Sequence, residues 1–385
     1  MGIYSDYLAQ HLDAEQLGAE RKRQLARISA RRGRDVLAFA ADVQSRHPVS
    51  IAYADILAFR DQLTGKSGHG IDVILETPGG AGEVVEDIVM MLRTKYASVG
   101  VIVPGIARSA GTIFAMGADE ILMDASSALG PIDAQLQHQG RVTSAQVLLD
   151  SVKRIRDEAA RTGVVNAADT LILQNVSPAE LQLAEHAVAF ARGLVTGWLV
   201  RHHLKGWTTN EATGQAVTDD DREARARAIA AELTDRAKWM THSRPIKIDD
   251  LRHMGLAITD FSEDAELGDA IARYGALLPI TFASGVYKMF ETPTSQILRE
   301  DPGAGGAAGQ KAQAKAARLT IQCGQCGASV RIHAPFAKGL PVPPDAMPFP
   351  AANVARCPSC GHELHLAEAR HQIEAQARQV IVTEA

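Results

Sequence analysis

IDVILETPGGAGEVVEDIVMMLRTKYASVGVIVPGIARSAGTIFAMGADEILMD, residues 71–124, holds three apolar runs of strand length: IDVILET (71–77), SVGVIV (98–103) and DEILMD (119–124). Between them GEVVEDIVMMLRTKY (82–96) and SAGTIFAMGA (109–118) carry helical spacing. Just upstream, VLAFAADV (36–43) reads as another strand and AYADILAFRDQL (52–63) as another helix. Strands that alternate with helices imply right-handed βαβ units and a largely parallel sheet, an α/β fold.

Parallel sheets place chemistry at the carboxyl ends of their strands. One strand ends in Thr77-Pro78-Gly79-Gly80, where two glycines let backbone N–H groups approach a ligand. The next ends in Pro104-Gly105-Ile106-Ala107-Arg108-Ser109-Ala110-Gly111-Thr112. Ser109 falls at the turn into a helix, where the positive end of the helix dipole favours a developing alkoxide. Small neighbours let such a turn be tight, as in nucleophile elbows. A serine hydroxyl needs a base, and Lys153 lies downstream on a predicted helix among Leu148, Leu149, Val152 and Ile155. Desolvation by those neighbours is what a neutral lysine base requires. The N–H groups of Gly79 or Gly80 and of Ala110 are the expected oxyanion hole.

The segments ILETPGGAGEVVEDI and ARSAGTIFAMGADEILMDASSALGPIDAQL resemble the serine dehydrogenase proteinase family of Clp-fold serine peptidases. Signal peptide peptidase A is a more distant likeness. The resemblance covers residues 71–135 and extends over about 15–270. It implies a Clp/crotonase-like ββα spiral core, usually oligomeric, with Ser109 as nucleophile, Gly79-Gly80 at the oxyanion hole and Lys153 near the place of the lysine in Ser-Lys relatives. Clp peptidases carry a histidine after the serine, but the matching neighbourhood here is Gly130-Pro131-Ile132-Asp133-Ala134. A Ser-Lys dyad is therefore preferred, with His138 as a minor candidate. THSRPI (241–246) resembles a recurring family segment, and His242 is read as a structural helix-end residue ahead of a catalytic one.

The expected domains are a helical extension over 1–34, lying outside the main core, and a peptidase domain over 35–290 that turns mostly helical from about 144 to 275. A Gly/Ala/Lys/Gln-rich flexible linker follows over 300–318. Residues 319–385 are expected to form a zinc ribbon with a terminal helix. Cys323, Cys326, Cys357 and Cys360 make two CxxC knuckles suited to structural Zn²⁺, and Gly327 and Gly361 permit the sharp turns. The gap between knuckles exceeds the usual spacing, and PVPPDAMPFP can loop out. A closed four-thiolate site leaves no position for chemistry, so this domain is expected to recruit a protein partner.

The net charge of −5 offers no general attraction for nucleic acid. The basic residues between Arg21 and Arg34 are read as a solvated helix face. No stretch reads as a secretory signal or a bilayer span, so a cytoplasmic location is expected. Thr64-Gly65-Lys66-Ser67 echoes a phosphate-binding loop, but Arg60 stands where the motif needs glycine. His202 and His203 are expected at the surface. The expected activity is peptide-bond hydrolysis by a homo-oligomer. Two alternatives remain: a crotonase-type acyl-CoA enzyme, for which Glu83, Glu86 and Asp87 show only helical spacing, and a non-catalytic scaffold that binds through the ribbon.

Overall fold

The computed structural model describes residues 2–138, 141–210, 213–301, 316–377 and 380–383. It divides into two units, Met1–Gly305 and Gly306–Ala385. The first begins with α1 (Ile3–Gln10), α2 (Ala14–Arg32), β1 (Asp35–Ala41), α3 (Ala54–Gln62), β2 (Gly70–Glu76), α4 (Gly82–Lys95) and β3 (Ser98–Ile102). The short β4 (Ile106–Ala107) leads into α5 (Ala110–Met116), β5 (Glu120–Met123), β6 (Ala128–Leu129) and the hairpin β7 (Gln135–His138) and β8 (Arg141–Ser144). Then come α6 (Ala145–Thr162), α7 (Ala167–Gln174), α8 (Pro178–Trp198), α9 (Asp219–Leu233), α10 (Arg236–Trp239) and α11 (Ile248–Met254). The unit ends with β9 (Ile258–Asp260), α12 (Ala265–Phe282), β10 (Val286–Thr292) and β11 (Ser295–Glu300).

One seven-stranded sheet runs β11-β10-β1-β2-β3-β5-β9. From β1 to β9 it is parallel, and the β10–β11 hairpin adds an antiparallel edge. Helices cover both faces, which is why β1 and β2 are buried almost throughout. Alternation sends Leu37, Phe39, Val73 and Leu75 into one core with α3, α4, α5 and α8. It sends Val36, Ala38, Ala40 and Ile74 into a second core under α2 and α12. The mixed α/β architecture, with a largely parallel sheet, is the one the sequence led us to expect.

Helix α2 corrects the expectation of an extension outside the core. Its Leu25 and Ile28 are fully buried in the second core. Its Arg21, 2% exposed, grips Glu291 at 2.8 Å and Thr281 at 2.7 Å. Arg32 and Arg34 both reach the buried Asp72, so these basic residues are partners of interior carboxylates rather than a solvated face. The sheet also runs past residue 290, through β11. His203 is buried in a π-helical stretch (Leu199–His203), where its Nε2 accepts the N–H of Ala257 at 3.1 Å. Burial pushes His202 and His203 down to about 4, so neither is the surface pair expected.

The second unit is small and mostly β. β12 (Ala316–Gln322) and β13 (Ser329–Pro335) form a hairpin joined by β14 (Met347–Pro348). β15 (Val354–Arg356) and β16 (Glu363–His365) pair beside them, and α13 (Ala367–Ala377) follows. Val330, Ile332, Phe349, Leu364 and Leu366 make its core. β12 starts at Ala316, inside the segment expected as linker, and residues 302–315 of that linker lie outside the described residues. No helix among the described residues is long and apolar enough to cross a membrane.

Candidate active site

Strand β4 breaks from β3 at Pro104-Gly105 and delivers Ser109 to the start of α5. The break is held by hydrogen bonds: Thr77 N–H donates to Ile106 O (2.8 Å) and Arg108 N–H to Thr77 O (3.1 Å). Glu76 Oε2 accepts the N–H of Ile106 at 2.9 Å. A side chain at Gly105 would put its Cβ 2.6 Å from that oxygen and push the Glu76 carboxyl off this hydrogen bond. Burial pushes the Glu76 carboxyl up to about 7, against the backbone N–H groups of Ile106 and Gly105 and the charge of Arg108.

Ser109 itself sits at φ 51°, ψ −114°, a conformation that costs a non-glycine residue roughly 1–3 kcal/mol. The surrounding hydrogen bonds enforce it: Gly111 N–H bonds Arg108 O at 2.8 Å and Ile113 N–H bonds Ser109 O at 3.1 Å. This is the strained strand-to-helix turn of a nucleophile elbow. Gly79 lies directly against it, at φ 109°. A Cβ there would stand 2.8 Å from Ser109 Cβ and 2.7 Å from Arg108 O. At Gly80, with φ 153°, a Cβ would stand still closer to the backbone of Ile51, against its O and N.

Ser109, Gly79, Gly80 and Ala110 line one cleft of ≈ 360 Å³, together with Asp133, Phe190 and His242. The N–H of Gly79 donates to Thr77 Oγ1 at 3.1 Å. Those of Gly80 and Ala110 make no hydrogen bond among the described residues, and they are the donors left for an oxyanion.

Lys153 does not join this group. It is exposed on α6, whose buried residues are Ala145 and Ile155. Two positions along a helix turn the side chain through about 200°. Lys153 therefore faces away from Ile155, and Leu148, Leu149 and Val152 are only partly buried. The burial that a lysine base requires is missing. His138 ends β7, and its side chain lies outside the described residues.

The structure brings His242 to the cleft instead. Leu129 and Ile246 exchange both backbone hydrogen bonds, 3.0 and 2.9 Å, and draw the 241–246 segment alongside β6. Thr241 N–H then bonds Trp239 O at 2.6 Å across Met240 at φ 61°, a tight γ-like turn that aims the imidazole inward. His242 Nδ1 is buried and stands 3.6 Å from Asp133 Oδ2. Asp133 is 8% exposed and also accepts from Ser144 Oγ (2.5 Å) and Arg236 Nη1 (3.1 Å). Burial pushes its carboxyl up, but His242, Ser144 and Arg236 more than offset this and hold it below the usual range. No hydrogen bond joins Ser109 and His242 here, and such contacts often close only around substrate. Sequence reading named Asp133 only as the place where a histidine was missing. The signals for the pair were the GPID and THSRPI segments themselves.

In the second unit the four cysteine sulfurs all lie within 4.8 Å of one another. The Cys323–Cys360 and Cys326–Cys357 separations are 3.6 and 3.7 Å. A tetrahedral thiolate site with Zn–S of about 2.3 Å has edges of about 3.8 Å, so this donor set fits a metal of that kind. The N–H of Ser359 leads the contacts that lower the Cys357 thiol to about 7, while the neighbouring cysteines push Cys360 up to about 12, as crowded thiols without a cation between them would.

A strained serine at a strand end, beside two N–H groups without a hydrogen bond among the described residues, is an arrangement suited to serine hydrolase chemistry. Residues 4–189 of the chain match the family described as ClpP-like SDH-type serine proteinase. Two uncharacterized proteins of Methanocaldococcus jannaschii, MJ1495 and MJ0137, are each 28% identical to it over 188 and 190 residues. The matches cover 49% of this chain and 51% and 53% of theirs, so the chain spans about half the length of these relatives. Among solved structures, a variant of the 1510-N membrane-bound stomatin-specific protease is 22% identical over 35% of this chain and 72% of its own, with a TM-score of 0.23. An enoyl-CoA hydratase/isomerase family protein from Silicibacter pomeroyi is 16% identical over 43% and 87%, with a TM-score of 0.21. His242 lies beyond the segment that the family match covers.

Proposed function

We propose that the chain is a serine peptidase in which Ser109 is the nucleophile, His242 the general base and Asp133 the group that orients it. The observation that carries this reading is the shared cleft: strained Ser109, two unengaged N–H donors and a histidine backed by a buried carboxylate. Ser109 Oγ attacks the peptide carbonyl as His242 Nε2 takes its proton. Gly80 and Ala110 N–H groups receive the oxyanion. Asp133, on the Nδ1 side, fixes the tautomer and stabilises the imidazolium. His242 then returns the proton to the leaving amine, and water releases the acyl-enzyme by the same route.

Peptide or protein segments are the substrates, homo-oligomers the working form, and the four cysteines hold structural zinc in a ribbon that recruits a protein partner. The test is intact-mass labelling by a fluorophosphonate of the wild type, Ser109→Ala, His242→Ala and Lys153→Ala. Labelling abolished in the first two variants and kept in Lys153→Ala is the expected result. Labelling lost in Lys153→Ala and kept in His242→Ala would sink the histidine assignment and restore the Ser-Lys dyad.

A further inference from the structure

A second cavity, ≈ 620 Å³, opens on the other face of the sheet from Ser109, between the strand ends and α12. Its position follows from strand alternation: Leu75 and Thr77 point towards α5, so Glu76 points the opposite way. The space stays open because the α12 positions that face it include Ala272 and Gly275. Its floor is apolar, with Phe261, Ile271, Leu278 and Phe282.

Its charged side chains are all of one sign. Asp42, Glu76 and Asp124 line it, and among the described residues no Lys, Arg or His does. Asp124 Oδ1 is taken up by Ser126 and Ser127, and Asp42 Oδ1 by the N–H of Gln44. Glu76 accepts from Ile106 N–H and faces the N–H of Gly105, and the remaining lone pairs of its two oxygens are open to another donor. Pro279, also in the wall, has no N–H to give the carbonyl of Gly275 one helical turn back. Asp42, Glu76 and Asp124 do not converge on one point: among the described residues only the cysteines form a group of three or more metal-ligand side chains.

We infer that this cavity binds a primary ammonium carrying an apolar tail, with the cation on Glu76 and the tail over Phe261, Ile271, Leu278 and Phe282. The volume is that of a small-ligand site, and a few polar groups at one end of an apolar chamber set orientation. A free amine and the amino terminus of an apolar-headed peptide share this chemistry. The site stands on its own geometry and does not depend on the peptidase reading.

The test is calorimetric titration of the full chain with n-hexylammonium and with n-hexanol, which have the same tail. Saturable binding of the ammonium, at least about tenfold tighter than the alcohol, is expected for a charge-assisted hydrogen bond. Glu76→Gln should erase that preference and leave the alcohol's affinity. Ala272→Trp, at an exposed lining position, should block both probes whether or not the first variant folds. Leu-Gly-Gly amide against its N-acetyl form separates the sources: preference for the free terminus marks a peptide ligand, and its absence marks a small amine. Equal affinity for hexylammonium and hexanol, no saturable binding of either, or unchanged binding in Ala272→Trp would overturn the inference.

Discussion

Glu76 should make the stability of the first unit fall as pH rises, and Glu76→Gln should remove that slope. In the folded protein the carboxyl is raised from 4.5 to about 7 by burial. The folded chain therefore keeps this proton between pH 4.5 and 7, while the unfolded chain has released it. Where the native state binds more protons, stability declines with increasing pH. The decline begins near 4.5 and is complete once the pH passes about 7. At 1.36 kcal/mol per unit, the shift corresponds to roughly 3 kcal/mol. The glutamine keeps an oxygen for the Ile106 N–H but has no proton to lose. It should match the wild type in acid and exceed it by up to about 3 kcal/mol above neutrality. The three tryptophans, Trp198, Trp207 and Trp239, all lie in the first unit. Urea unfolding followed by their fluorescence across this range reads the effect without the second unit. A difference between the two proteins that stays constant from acid to above neutrality would refute the argument.

Gly79→Ala places a methyl 2.7 Å from Arg108 O in a positive-φ position; it should cost at least about 1–2 kcal/mol and, by displacing Ser109, slow fluorophosphonate labelling about 100-fold. Asp133→Asn keeps the shape of the side chain but loses the charge behind His242 and the ion pair with Arg236, so acylation should drop about 10⁴-fold and melting should fall as well, the rate being read well below the variant's melting point. Labelling rates within tenfold of wild type would detach Asp133 from the site. Cys357→Ser should lower bound zinc, measured by elemental analysis, and destabilise the second unit while leaving the tryptophan-monitored unfolding of the first unchanged. Full zinc content in that variant would contradict a four-cysteine site.

The elements legible in the sequence were those whose signal is local. β1, β2, β3 and β5 each fall on an apolar run bounded by Gly, Pro or charge, and each was placed within a residue or two. Ser109 and the two glycines were legible because a tight strand-to-helix turn demands small residues at fixed offsets. What escaped depends on contacts far apart in the chain. Helix α2 has a polar composition, and only the tertiary fold shows that Arg21 and Arg32 meet buried Glu291 and Asp72. Lys153 was placed by spacing from Ser109, but helical phase turns it to solvent. His242 and Asp133 are brought together by the Leu129–Ile246 pairing, which has no local signature.

The two sites are joined through one short piece of backbone. Thr77 supports the elbow on the α5 side, through Ile106 O and Arg108 N–H. Its neighbour Glu76 supports the same strand from the α12 side, through Ile106 N–H. Ile106 therefore gives its carbonyl to one face and its N–H to the other, and the strained Ser109 hangs from it three residues on. A conformation that costs roughly 1–3 kcal/mol persists only where its surroundings over-determine it. Glu76 is one of those constraints, and it is a carboxylate whose charge the fold disfavours. A cation in the second cavity would favour the charged form, and the carboxylate accepts the Ile106 N–H more strongly than the neutral acid does. Ligand binding on one face of the sheet would thus act on a hydrogen bond that helps to position Ser109 on the other.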